Sequence, residues 1–136
     1  MNRVCTLNTR QAFIRLPARV DQVARAREFV LSALGADHPS AGPIQLIVDE
    51  LVTNSILHSR SGRRPDGKVS ITLTSHSQLI RVEVTDDGGA SLPRLREADF
   101  CAEGGRGLHL VDALATTWNC ARGPYGTTTT WAEVAD

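Results

Sequence analysis

The order of helical and alternating patterns along the chain is the strongest constraint on its fold. One alternating stretch, residues 10–16, is followed by two segments with helical spacing, and two more alternating stretches come before a third helix. The order read from the sequence is β-α-α-β-β-loop-α-β-β. A doubly wound parallel sheet needs regular alternation of strands and helices, so this order excludes it. It predicts an α+β fold, a two-layer sandwich whose mixed, mostly antiparallel sheet carries helices on one face.

Local signals set the boundaries of these elements. Pro17 ends the first strand, and the first helix lies between Asp21 as its N-cap and Gly35 as its stop. The second helix runs from about Ile44 to His58. The later elements are two strands, an irregular loop, a short helix and a closing hairpin: residues 68–74, 79–85, 91–105, 107–115, 117–122 and 127–134.

Length, charge and cysteine content limit the class of protein. The 136 residues fit one domain, residues 1–136. Fifteen basic residues balance fifteen acidic ones, which argues against a general nucleic-acid binder. No apolar run approaches the ~18 residues of a membrane span, and the three cysteines form no CxxC pair. We therefore expect a cytoplasmic protein with free thiols that binds neither nucleic acid nor membrane.

Glu50 and Asn54 form a polar pair that a simple apolar core does not explain. On a helix they lie about 40° apart, within an apolar arc that also holds Leu46, Ile47, Leu51 and Leu57. A buried carboxylate there is costly unless it is paired, coordinates an ion or reaches a cavity. Alternatively, its long side chain reaches solvent at the edge of the arc. His58 lies one turn further along the same side.

Three later segments each allow a structural and a ligand-binding interpretation. Residues 86–90 (DDGGA) are either a plain turn or a place where glycine admits a flat ligand and a carboxylate accepts its hydrogen bond. Residues 104–107 (GGRG) are either a hinge or a phosphate site made by free amides at a helix start. The threonines of residues 126–131 (GTTTTW) fit a half-exposed strand or supply a hydroxyl to a ligand.

In this order, the four segments resemble the sequence boxes of the Bergerat-fold (GHKL) ATPases. The matching boxes are the N box (residues 50–58), the DxGxG box (86–90), the second glycine box (105–108) and the last box (126–128). The segments DELVTNSILHS and GGRGLHLVDAL are similar to those of the anti-sigma-factor serine/threonine kinases of partner-switching systems. The resemblance covers the chain from about Phe13 to Val134.

This resemblance implies a site for ATP and Mg²⁺. Asn54 would coordinate the Mg²⁺ that bridges the ATP phosphates, and His58 would lie near those phosphates. Glu50 would be the catalytic general base, acting on a serine hydroxyl or on water. Asp86 would accept the hydrogen bond of the adenine amino group, and Gly88 would clear space for the base.

The remaining boxes would complete the nucleotide site. Backbone amides and one positive charge for the phosphates would come from the second glycine box: Gly105, Arg106, Gly107 and Leu108. A threonine, Thr127 or Thr128, would support the adenine pocket, and residues 91–104 would form the ATP lid. The chain departs from the pattern at Ala90, where the DxGxG box has its second glycine. The backbone there approaches a nucleotide less freely.

The resemblance also implies a function. The expected protein is an ATP- and Mg²⁺-dependent serine/threonine kinase that holds a sigma factor inactive and phosphorylates an anti-anti-sigma antagonist. A homodimer is implied as well. The alternative is an ATP-binding regulatory module that binds protein partners without kinase activity. An α+β interaction protein that binds no nucleotide would have to explain all four boxes at once.

Overall fold

The alternating stretches of the sequence form one antiparallel sheet. The structure is a computed structural model that describes residues 9–89 and 108–135. Its strands are β1 (Thr9–Pro17), β2 (Lys68–His76), β3 (Leu79–Asp86), β4 (Thr117–Arg122) and β5 (Thr128–Ala135). They lie in the order β1-β2-β3-β5-β4, and each neighbouring pair is antiparallel. The sheet is therefore of the predicted, mostly antiparallel kind.

Three α-helices complete the layer that covers the sheet. They are α1 (Val23–Leu34), α2 (Ala41–His58) and α3 (Leu108–Leu114). The predicted element order and the two-layer α+β fold are confirmed. Within the described residues, no helix combines the length and the apolar character needed to cross a membrane.

Two helix starts differ from the sequence expectation. Asp21 lies inside a short 3-10 turn, Val20–Gln22, and the N-cap of α1 is Gln22. The prediction of Asp21 as N-cap is therefore wrong, because this extra turn precedes the α-helix. Helix α2 begins at Ala41 and so includes Pro43 in its first turn, where proline lacks only an amide that has no helical partner.

The core lies between the inner face of the sheet and α2. Six alternate residues of β2 and β3 point inward and are at most 3% exposed: Val69, Ile71, Leu73, Ile80, Val82 and Val84. Helix α2 contributes a buried stripe against them: Ile44, Ile47, Val48, Leu51 and Val52. The period of two in the strands and the helical spacing in α2 thus meet in one apolar layer.

The C-terminal end of α2 meets the sheet at one edge. Asp86, the last residue of β3, pairs directly with Thr128, the first residue of β5. After α2 the chain makes a 3-10 turn, Arg60–Arg63, and the Arg60 amide donates a hydrogen bond to the Gly88 carbonyl at 2.8 Å. The end of α2, the end of β3 and the start of β5 are therefore held together.

We expect the core to depend on the central strand β3. Ile80→Ala removes a side chain that is 0% exposed, and such a deletion costs about 2–5 kcal/mol of unfolding free energy. Thr72→Ala on the outer face of β2 is the control and should cost less than about 1 kcal/mol. Urea denaturation followed by circular dichroism measures both. Equal losses for the two variants would contradict this location of the core.

Candidate functional site

A cleft lies where the end of α2 meets the ends of the central strands. Its walls enclose about 60 Å³, and the rest of the cleft is open to solvent. The lining residues come from α2 and its C-cap (Leu51, Asn54, Ser55, His58, Ser59), the end of β3 (Asp86, Gly89), α3 (Leu108), β4 (Trp118, Cys120) and β5 (Thr128, Thr130). Most of the wall that these described residues form is apolar, and they include a single carboxylate.

Asp86 is that carboxylate, and it is only 9% exposed. Its Oδ1 accepts a hydrogen bond from the Gly88 amide at 2.7 Å, and its side chain is also hydrogen-bonded to Ser55. An ionised carboxylate has about four lone-pair positions, so acceptor capacity remains for a ligand. This arrangement suits a flat ligand with an N–H donor on its edge.

Burial raises the pKa of Asp86 above its ordinary value, because an apolar environment disfavours the charged form. The hydrogen bonds from Ser55 and Gly88 act in the opposite direction, since they favour the carboxylate. The negative charge of Asp87 adds to the rise, and the positive charge of Arg122 opposes it. Desolvation is the largest of these effects.

Gly88 packs against backbone and does not line the cleft. Its φ is +82°, and a Cβ at this position would lie 1.9 Å from the carbonyl oxygen of Gly126. The turn after β3 therefore touches the turn between β4 and β5 directly. The expectation that Gly88 clears space for a ligand changes accordingly: its missing side chain admits Gly126, and the neighbouring Gly89 lines the cleft.

The polar side chains of α2 divide between the cleft and the surface. Asn54 and His58, one helical turn apart, both line the cleft. Glu50, one turn earlier, is half-buried and lies outside the lining. Leu46 and Leu57 are 47% and 56% exposed. The predicted arc is therefore buried only on the side of Ile47 and Leu51. Glu50 lies at its edge, as the alternative interpretation describes.

The threonines at the start of β5 differ in whether they face the cleft. Thr128 and Thr130 point into the cleft, whereas the Thr127 hydroxyl donates to the Pro124 carbonyl at 3.3 Å. Of the two predicted threonines, Thr128 therefore lies in the cleft and Thr127 does not. Thr130 was missed, although the period of two along a strand would have placed it beside Thr128.

The phosphate end of the predicted site is described only in part. Leu108, the first residue of α3, lines the cleft and is 9% exposed. Gly105, Arg106 and Gly107 and the predicted lid, residues 91–104, lie outside the described residues.

Besides Thr130, six cleft residues were not among the predicted site residues: Leu51, Ser55, Ser59, Gly89, Trp118 and Cys120. The sequence signal for Trp118 and Cys120 was their alternation on the predicted strand β4, and for Ser55 its place next to Asn54. Cys120 is disulfide-bonded, so the expectation of free thiols is wrong for this residue. Cys5 and Cys101 lie outside the described residues.

The donor set fits a Mg²⁺ ion that is held mainly by a bound nucleotide. Among the described residues, no group of three or more His, Cys, Asp or Glu side chains is arranged to hold a metal. The Asn54 side chain in the cleft offers one amide oxygen. Mg²⁺ keeps several waters and commonly binds substrate phosphates with few protein ligands, which matches this set.

The raised pKa of Asp86 predicts how the unliganded protein responds to pH. The folded protein binds this proton more tightly than the unfolded chain does. As pH rises from about 4 through the raised pKa, wild-type stability should therefore fall relative to Asp86→Asn, and the difference should stay constant above it. Urea denaturation of both proteins across this range measures the effect. A wild type that gains stability relative to the variant over the same range would contradict it.

Sequence comparisons find relatives along most of the chain. Residues 16–132 match the family described as histidine kinase-like ATPase domain. A serine-protein kinase RsbW from Staphylococcus epidermidis is 27% identical over 115 residues, which cover 74% of this chain and 72% of that protein. RsbW from Listeria monocytogenes serovar 1/2a is 24% identical over 115 residues, covering 74% and 73%.

The fold also matches a solved structure, that of the RsbU and RsbW domains of Rv1364c from Mycobacterium tuberculosis. The TM-score is 0.62 at 20% identity, with 93% of this chain covered. This chain spans 32% of that longer chain, and at this identity the likeness shows the fold. These matches confirm the resemblance to GHKL serine kinases that the motifs predicted. Because the family match extends over residues 16–132, the protein belongs to the histidine kinase-like ATPase domain family.

Proposed function

We propose that the cleft binds ATP with Mg²⁺ and that the protein is a serine/threonine kinase acting on an anti-anti-sigma antagonist. In the same proposal it binds a sigma factor and holds it inactive. The observation that carries the ATP site is the buried Asp86 carboxylate, with acceptor capacity left in an otherwise mostly apolar cleft. Family membership and the RsbW relatives support the kinase assignment.

The chemistry of the cleft favours adenine over guanine. The exocyclic amino group of adenine would donate to Asp86, with Thr128 on the neighbouring strand beside it. Guanine presents a carbonyl oxygen at the corresponding position, and a carboxylate repels it. The apolar side chains of Leu51, Leu108 and Trp118 suit the faces of a purine ring.

The other end of the cleft suits phosphates. Asn54 would hold Mg²⁺ through its amide oxygen, and His58 would lie beside the phosphates. Gly105, Arg106 and Gly107 precede α3 in the sequence and would add backbone amides and a positive charge. When bound, Mg²⁺ would neutralise phosphate charge, which phosphoryl transfer needs more than covalent chemistry by the protein.

Glu50 is the proposed general base. It is half-buried, one helical turn before Asn54, and it does not line the cleft. An acceptor serine would come from another protein, and a carboxylate that is partly exposed can reach its hydroxyl whereas a fully buried one cannot. Glu50 would take the hydroxyl proton as the serine oxygen attacks the terminal phosphate.

The proposal also covers assembly and location. The protein would act as a homodimer in the cytoplasm and would affect transcription through its sigma factor, without touching nucleic acid itself. The balanced charge, with fifteen basic and fifteen acidic residues, supports the absence of direct nucleic-acid binding.

Adenine recognition by Asp86 predicts a nucleotide-binding defect. In a titration with a fluorescent ATP analogue and Mg²⁺, the wild type should bind saturably and Asp86→Asn at least about ten-fold more weakly, because the amide cannot replace a charged acceptor. Circular dichroism controls for folding. Equal affinities would remove the adenine assignment.

Catalysis by Glu50 predicts that transfer and binding separate. With labelled ATP, Mg²⁺ and candidate antagonists, Glu50→Ala should lose at least about 100-fold in transfer to serine while it retains nucleotide affinity. Asp49→Ala is the matched control, since this neighbouring carboxylate pairs with Arg27 at 3.6 Å and should leave transfer unchanged.

Two results would count against the kinase. If Glu50→Ala transfers phosphate as well as Asp49→Ala does, Glu50 is not the base. If the wild type binds ATP but transfers phosphate to no antagonist, the regulatory module without kinase activity is the better description, and ATP should then change its affinity for protein partners.

A further inference from the structure

Buried polar side chains in the described part of the chain concentrate beside the cleft. They are Ser40, Ser55, Ser59, Ser61 and Asp86, each at most 9% exposed. Ser40 lies at the N-cap of α2, and the others lie at the opposite end of that helix, in the turn after it, or at the end of β3. Buried polar groups are costly unless they are hydrogen-bonded, so their partners indicate what they are for.

The three serines near the cleft connect α2 to the turn after β3. Ser55 is hydrogen-bonded to the Asp86 carboxylate. Ser59, the C-cap of α2, accepts a hydrogen bond from the Ser61 amide at 3.0 Å. The Ser61 hydroxyl in turn accepts from the Asp87 amide at 2.9 Å. Together, Ser55, Ser59 and Ser61 form a serine cluster.

Backbone contacts fix the same two segments against each other. The Arg60 amide donates to the Gly88 carbonyl, and a Cβ at Gly62 would lie 1.9 Å from the Ile56 carbonyl oxygen. The turn after α2 therefore packs directly on the last turns of the helix, with no room for a side chain at position 62. An ion pair between Arg64 and Asp87 at 3.2 Å spans the same gap, but its partners are 52% and 35% exposed and such pairs contribute little.

We propose that the serine cluster positions Asp86 for recognition of the nucleotide base, by holding residues 86–88 against the end of α2. This inference rests on the proposed function, because it takes Asp86 as the acceptor for adenine. Ser55 orients the carboxylate itself, and Ser59 and Ser61 fix the backbone that follows it. All three serines are thus positioning residues. Ser55 lies within the first sequence box, whereas Ser59 and Ser61 lie outside all four boxes.

The chemistry of Asp86 shows why such support matters. Burial raises the pKa of Asp86, and the hydrogen bond from Ser55 opposes that rise. Asp87 raises the pKa further, the positive charge of Arg122 lowers it, and His58 lines the same cleft. A protonated carboxyl group would offer an O–H donor, which matches the carbonyl oxygen of guanine, and a rotated carboxylate would lose its alignment with the adenine amino group. Loss of the serine cluster should therefore weaken ATP binding and reduce its preference over GTP.

The test compares base selectivity in serine variants of the whole chain. Affinities for fluorescent ATP and GTP analogues are measured with Mg²⁺ for wild type, Ser55→Ala and Ser61→Ala. Both variants should bind the ATP analogue about ten-fold more weakly, with a smaller ATP-to-GTP preference. Ser55→Thr, which keeps the hydroxyl, should restore both quantities. A merely structural role would lower stability without changing the preference.

Ser40→Ala is the matched control. Ser40 is a buried serine too, but along α2 it lies about 22 Å from Ser55, the nearest member of the cluster in sequence. It should leave affinity and preference unchanged even where it lowers the unfolding temperature. If Ser61→Ala does not fold, Ser55→Ala carries the test, because its side chain borders the open cleft.

The outcomes separate this inference from the proposed function. If the wild type does not bind ATP, or if Asp86→Asn binds equally well, the proposed function fails. If binding depends on Asp86 but Ser55→Ala and Ser61→Ala match Ser40→Ala in affinity and preference, the serine cluster does not position the base acceptor.

Discussion

The hydrogen bonds around Asp86 join the two layers of the fold at one point. The carboxylate ends the central strand β3, bonds to Ser55 on α2 and caps the Gly88 amide in the following turn. A charge in this position is unfavourable without those donors, because the surrounding cleft is mostly apolar. The helix, the strand and the turn are therefore arranged around the Asp86 carboxylate, a polar group that does not contribute to the apolar core. A costly buried acceptor at a cleft is the signature of a binding site.

The sequence was sufficient for the fold because its local signals agree with one another. Alternation in β2 and β3 identified the inward residues, and the order of elements excluded a parallel sheet. Helix α2 was harder, since it is apolar on nearly every side and its periodicity does not show which leucines are buried. Helical spacing placed Glu50 inside the apolar arc because Leu46 and Leu57 were counted in it, although both are exposed. The contacts of Ser61 with Asp87 and of Arg60 with Gly88 could not be predicted for another reason: they join segments more than twenty-five residues apart.

The described site divides its tasks between environments. In the proposed function, base recognition would use buried groups, Asp86 with Ser55 behind it, where a hydrogen bond is strong and discrimination between donors and acceptors is sharp. Asn54 and His58 lie in the cleft toward the helix end, while Glu50 lies outside it. Nucleotide binding and proton abstraction can therefore vary independently, which is why a module that keeps ATP and loses transfer is a coherent alternative.

In the proposed mechanism, where Glu50 is the general base, its half-buried position has a consequence for fidelity. A proton acceptor that open solvent can reach does not distinguish an alcohol from water by its own surroundings. The docked substrate protein must then provide the selectivity for serine over water. As its serine approaches, its surface has to displace the bulk solvent around the Glu50 carboxylate. Hydrolysis of ATP by water would thus be limited by the bound substrate protein and not by the kinase alone.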